Sequence, residues 1–216
     1  MATGRAAGRA ADSPLRIAYA TRLAPFGPAT AACAAAVQAA IQHLAQAGAE
    51  VAEIELDLAE MIEPFVELWR AEVAAAGVAR SLLEPMNQWL LDQGGKAGDY
   101  VRSRHQLQRW GRALVQTLAP YDCLVLPTCT ATAIEIGAWA DLPPEEVMAR
   151  IMDWISPSPA FNVTGQPALA IPTGRDSAGL PLGVQLVGRP GDEAALLRLG
   201  AYLEHCCDFP VAVPRL

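Results

Sequence analysis

The sequence predicts an α/β protein with a mixed β-sheet, and three observations carry that reading. A strand–helix–strand pattern opens the chain, the middle third is helical, and two apolar runs joined by a Gly-containing loop close it. A helical crossover implies parallel strands, and an apolar run that turns straight back implies antiparallel ones, so the chain calls for both kinds of pairing.

Arg16 to Ala20 is a short apolar run, followed by a loop with Pro25, Gly27 and Pro28. A helix is expected from about Ala29 to Gln46, because Val37, Ile41 and Leu44 recur at helical spacing and Gly48 stands where a left-handed cap would end it. Val51, Ile54 and Leu56 read as the second strand, joined to the first by a right-handed crossover. Leu58 to Ala76 reads as an acidic helix interrupted near Pro64, and Pro85 to Leu91 as a second helix ended by Gly94 and Gly95. A third, from about Asp99 to Leu118, turns Leu107, Trp110, Leu114 and Leu118 inward and leaves Arg102, His105, Arg109 and Arg112 on a basic stripe, read as its wet side.

Tyr121 to Thr128 is a buried strand ending at a proline. Pro143-Pro144-Glu145-Glu146 then opens a helix, since proline is tolerated in a first turn and acids suit its positive end; Val147, Ile151 and Ile155 are its expected buried side. Ala168 to Pro172 and Leu182 to Val187 form an antiparallel hairpin with a longer loop. A last helix from Asp192 to about His205 carries Leu196, Leu199 and Leu203 inward.

The 216 residues are 52% apolar and only 18% charged, enough for one sizeable core and short of the roughly 25% charge usual in globular domains. Part of that shortfall is alanine, which supplies 42 residues. The net charge of −7 argues against nucleic acid or an anionic membrane surface as partner. Eight carboxylates against one arginine between Glu50 and Glu72 concentrate the acid on what reads as a solvated face. No run is an apolar 20-mer, and Met1 to Ala11 lacks the apolar segment of a secretory signal; a disordered lead-in over residues 1–13 and a cytoplasmic protein are expected. Five cysteines, two of them adjacent, do not form the ligand pairs of a zinc site, and no metal or cofactor is called for.

Catalytic machinery is hard to find. None of the three histidines has a Ser, Cys or Asp partner at a telling spacing, and Gly94-Gly95-Lys96 lacks the strand and the Ser/Thr of a phosphate loop. The last third is more informative. Phe161-Asn162-Val163-Thr164-Gly165-Gln166-Pro167-Ala168-Leu169-Ala170-Ile171-Pro172 sets small and turn-forming residues before a buried strand. Gly179-Leu180-Pro181-Leu182-Gly183-Val184-Gln185-Leu186-Val187-Gly188 puts glycines inside the returning strand, where they weaken it unless something must approach closely.

These two segments, with Tyr121-Asp122-Cys123-Leu124-Val125-Leu126-Pro127-Thr128 upstream, resemble the C-terminal half of the amidase-signature family of serine hydrolases. The Pro14–Ile17 strand, the alanine-rich helix and the Ala47–Val51 step are similar to that family's mid-chain βαβ unit, so the resemblance runs from Pro14 onward. It implies a mixed twisted sheet flanked by helices, with residues 14–216 as the C-terminal portion of an amidase domain, and hydrolysis or transfer at a carboxamide C–N bond. The family acts through a nucleophilic serine, a second serine in a cis peptide and a lysine, in a Gly/Ser-rich segment before the βαβ unit. This chain has no Gly-Ser or Ser-Ser dipeptide; its six serines lie outside any glycine-rich setting, and its one lysine, Lys96, falls in the wrong half. No catalytic residue is therefore assigned.

What the resemblance carries over is substrate shaping. Leu124, Pro127 and Thr128 would line the acyl side of a channel, with Asn162 nearby in the loop before the hairpin. The same residues also make sense as core, strand terminator and turn former. The expected partners are a complementary N-terminal amidase half, or a second copy joined through an exposed sheet edge, with a small amide as substrate only once the domain is completed. A non-catalytic remnant acting as a binding module is the alternative.

Overall fold

The structure is a computed structural model that describes residues 13–207. The expected lead-in lies, apart from Ser13, outside the described residues. The elements in chain order are β1 (Arg16–Tyr19), β2 (Leu23–Ala24), α1 (Ala31–Gln46), β3 (Glu50–Glu53), β4 (Leu56–Asp57), α2 (Ala59–Ala75), α3 (Pro85–Asp92), α4 (Ala97–Leu118), β5 (Cys123–Pro127), α5 (Pro144–Trp154), α6 (Pro159–Thr164), β6 (Ala168–Arg175), β7 (Pro181–Gly188) and α7 (Glu193–Cys207).

Five strands form one sheet in the order β3-β1-β5-β7-β6, with β1 parallel to both β3 and β5, and β7 antiparallel to β5 and β6. The sheet is mixed, as expected. The predicted second strand is split. Its first part pairs with β1 as β3; its second, β4, pairs with β2 in a separate two-stranded ribbon.

Strand alternation builds two cores. Ile17, Cys123, Val125, Val184 and Leu186 face α1 and α7, where Val37, Ile41, Leu196 and Leu203 are buried. Their neighbours Ala18, Leu124, Leu126 and Val187 face the other way, onto Met61, Leu107, Leu114, Leu118 and Phe161 from α2, α4 and α6. The sheet is therefore covered on both faces, which is why β5 is buried at every residue rather than at alternate ones.

Three expectations need correction. α2 is not interrupted: it runs through Pro64, and the carboxamide of Gln106 on α4 donates to the Glu60 carbonyl at 3.4 Å. That carbonyl lies four residues before the proline, where the intrahelical donor is missing, so a neighbouring helix supplies it. The buried side of α5 is Met148 and Met152, one position on from the β-branched stripe; Val147 and Ile151 are half-buried. Those methionines meet Leu90 with Phe65, Trp69 and Trp89 of α2 and α3, an irregular surface that unbranched side chains fill well. Finally, the stretch before the hairpin is not a loop but a helical turn and a half, α6, ended by Gly165 at φ 68°. Proline at its first position allows the helix, and the left-handed glycine stops it.

Candidate functional site

The two ends of β5 are built differently. At its N-terminal end Asp122 is held on both oxygens: Oδ2 accepts the Arg16 N–H at 2.8 Å, and Oδ1 pairs with Arg189. Arg189 also donates from Nε to the Tyr121 carbonyl at 3.0 Å, and this pair is largely buried. Next to it, Pro167 has no N–H for the carbonyl of Gly188, whose own N–H bonds the Pro167 carbonyl at 2.9 Å. The buried Gln166 fills the gap, donating from Nε2 to the Gly188 oxygen at 2.8 Å. Gln185 does similar work further along, donating to the Pro157 carbonyl at 3.0 Å and tying β7 to the loop between α5 and α6.

At the C-terminal end the ladder with β7 continues one residue past Pro127, through the Thr128 N–H to the Gly183 carbonyl at 3.2 Å. By the antiparallel alternation this fixes, the N–H that Pro127 lacks would have pointed to the β1 side, where β1 has already ended. Beyond it the chain is strapped down: Thr30 N–H donates to the Thr130 carbonyl at 2.7 Å, the Thr130 hydroxyl to Asp153 O at 3.0 Å, and Trp154 Nε1 to Ala131 O at 3.0 Å. Thr128 lies in a cleft of about 310 Å³ with Cys129, Cys33, Trp154, Pro172 and Leu182 on its walls. Its Oγ1 is buried and has no hydrogen-bond partner. Gly183 makes room for it, since a Cβ there would lie 3.0 Å from Thr128 Oγ1 and 3.1 Å from the Ile171 carbonyl.

The four residues singled out from sequence are not brought together. Thr128 lines this cleft. Leu124 is 2% exposed in the core under α4 and α6, and Pro127 is buried in the strand. Asn162 stands on α6 at a second, larger cleft of about 720 Å³ between α2, α4 and α6, whose walls include Phe65, Leu68, Trp69 and Val163 with Arg104 and Glu72 at the rim. The polar residues that sequence reasoning misses are Gln166 and Gln185. The signal for the first is the proline after it, which guarantees one strand carbonyl without a donor.

Two of the thiols are held toward their neutral form. Burial, and then the neighbouring Cys33, push the Cys129 thiol above its ordinary range, and burial drives Cys123 up to about 12. Ser156 is 1% exposed and its Oγ has no partner. Among the described residues no group of three or more His, Cys, Asp or Glu is placed to hold a metal, and no helix is long and apolar enough to cross a membrane.

The three-layer arrangement matches that of known hydrolases. It superposes on 6-aminohexanoate cyclic dimer hydrolase with a TM-score of 0.77 at 21% identity, covering 94% of this chain and 47% of that one. A bacterial aryl acylamidase of the amidase-signature enzymes gives 0.71 at 13% identity, covering 91% and 44%. The class is thus the α/β fold of the amidase-signature structures. The Amidase family model matches residues 3–197, and the chain belongs to that family. A putative amidase of Synechocystis is 40% identical over 190 residues, which are 88% of this chain and 37% of that protein. A fatty acid amide hydrolase of Medicago truncatula is 34% identical over 123 residues, 54% of this chain and 19% of its own length. The chain spans less than half the length of these relatives.

Proposed function

We propose that this chain forms the substrate-channel portion of an amidase, and that hydrolysis of a carboxamide C–N bond takes place beside the Thr128 cleft with a nucleophile contributed by the part of an amidase domain that this chain does not span. The observation that carries this reading is the Thr128 hydroxyl, buried without a partner in a cleft at the C-terminal end of β5. A buried hydroxyl left unsatisfied costs about 1–3 kcal/mol unless something arrives to bond it. A carboxamide, with donors and an acceptor, is such a group.

In this reaction a serine oxygen adds to the amide carbonyl, the C–N bond breaks, the amine leaves with a proton, and water then releases the acid from the acyl-enzyme. The serine, the lysine that handles its proton and the donors for the oxyanion come from the complementary part. The residues of this chain bind and exclude water. Thr128 orients the amide, and the apolar walls of the same cleft, with Trp154, Pro172 and Leu182, take an apolar substituent.

The test is an aryl-amide assay on the purified chain, alone and mixed with the segment of the Synechocystis putative amidase outside the matched 190 residues. No turnover is expected from the chain alone, and turnover is expected from the mixture. Turnover by the chain alone that disappears when one of its six serines is changed to alanine would overturn the reading.

A further inference from the structure

Two thiols share the walls of the Thr128 cleft. Cys33 belongs to the buried stripe of α1, with Ala36, Val37 and Ala40, so its side chain points onto the sheet from the first turn of the helix. Cys129 follows Thr128 directly, where the chain leaves β5. These two stretches are fixed against each other by the Thr30 N–H, which donates to the Thr130 carbonyl at 2.7 Å. Cys33 stands three residues after one end of that bond, and Cys129 one residue before the other. Both line the cleft of about 310 Å³; Cys33 is buried and Cys129 half-buried, so Cys129 is the easier to reach. Burial and then the nearby Cys33 raise the Cys129 thiol, which sets the two sulfurs within electrostatic reach.

The other thiols are placed differently. Cys123 opens β5, at the far end from Cys129 and about 13 Å from Pro127 at the rise of a strand. Cys206 and Cys207 are successive residues of α7, and neighbours on a helix do not face each other.

We propose that Cys33 and Cys129 are a dithiol site in the cleft wall, which a low-molecular-weight disulfide such as oxidised glutathione converts to a Cys33–Cys129 bond. The Cys129 thiolate attacks one sulfur of the oxidant and displaces a glutathione thiolate. Cys33 then attacks the mixed disulfide at the Cys129 sulfur, forming the Sγ–Sγ bond and releasing the second glutathione. Two electrons pass from the protein to the oxidant, and the two thiol protons end on two glutathione thiols. The new bond ties the first turn of α1 to the β5 exit, one residue from Thr128, and rebuilds the cleft wall there. The site itself stands apart from the amidase reading; its effect on turnover rests on that reading.

The test holds the whole folded chain in oxidised glutathione for hours, because a thiol kept toward its neutral form exchanges slowly. Free thiols are then alkylated, and the chain is digested between Cys123 and Cys129 and mapped. A Cys33–Cys129 cross-link is expected, about tenfold more abundant than any other pairing, and that preference should vanish when the same exchange is run in denaturing urea. Cys129→Ser and Cys33→Ala should each abolish it, while the map of the parent chain decides the matter without either variant. All five thiols left open to alkylation, or a dominant bond to Cys123, Cys206 or Cys207, would overturn the proposal. So would equal pairing in folded and denatured chain.

The oxidised chain is also mixed with the unmatched segment of the Synechocystis relative. Aryl-amide turnover should fall about tenfold, return with dithiothreitol, and ignore the oxidant in C129S. A cross-link that leaves turnover unchanged would keep the dithiol site and remove this cleft from the reaction. A mixture inactive before oxidation would count against the amidase reading alone.

Discussion

The two ends of β5 belong to one buried strand, yet they meet opposite fates. Around Asp122 the charged groups and the strand carbonyls have partners within the chain: Arg16, Arg189 and Tyr121 close one network, and Gln166 supplies the donor that Pro167 withholds, though its own Oε1 bonds nothing. Around Thr128 the hydroxyl goes unanswered and the facing residue is a glycine. Burial alone does not separate an anchor from a site. What separates them is that the groups around Asp122 are tied into a network between distant segments, whereas the Thr128 hydroxyl lines a cleft and bonds nothing.

The difference can be broken at the anchored end first. Asp122→Ala removes the carboxylate that pairs with the largely buried Arg189 and accepts from the Arg16 N–H. Loss of one partner of such a pair costs about 3–5 kcal/mol. Urea unfolding should show a midpoint shifted far down, and an unchanged midpoint would mean that solvent reaches this pair freely.

Gly183→Val tests the space at the other end. Its Cβ would press on Thr128 Oγ1 at 3.0 Å and on a backbone carbonyl at 3.1 Å, and overpacking of this kind costs about 1–3 kcal/mol. The same melts measure it. A variant as stable as the parent would show that the hairpin yields there.

The smallest effect on stability is the most informative. Thr128→Val keeps the shape and removes a buried oxygen that bonds nothing, so the isolated chain should become more stable by about 1 kcal/mol, the low end of what an unsatisfied hydroxyl costs. In an assembled amidase the same change should lower kcat/KM by at least tenfold. Destabilisation of the isolated chain by about 2 kcal/mol or more, on the order of a full lost hydrogen bond, would move Thr128 from the open end to the anchored one.

Much of the fold is legible in local sequence. Gly48 and Pro85 punctuate the helices where expected, the hairpin falls at Ala168 and Leu182, and the uniformly apolar Cys123–Leu126 announces a strand covered on both faces. The split of the second strand is not legible, because β4 leaves the main sheet to pair with β2, whose two residues carry almost no periodicity. The buried stripe of α5 lies one position from its expected place for a related reason: its orientation is set by α2 and α3, not by its own apolar spacing. Of the proposed site residues, Thr128 and Asn162 line clefts and Leu124 fills core, and their types and spacing do not sort them.

The sequence by itself determined most of the elements, because capping, proline and glycine placement and apolar periodicity act within a few residues of each other, and the family was legible in the resemblance of the Tyr121–Thr128, Phe161–Pro172 and Gly179–Gly188 segments. Tertiary structure alone decided which polar groups are satisfied and, among the described residues, which strands stand at the edges of the sheet. Asp122 meets an arginine 67 positions away and Gln185 a carbonyl 28 away, and such pairings depend on register between distant segments, which no local pattern encodes.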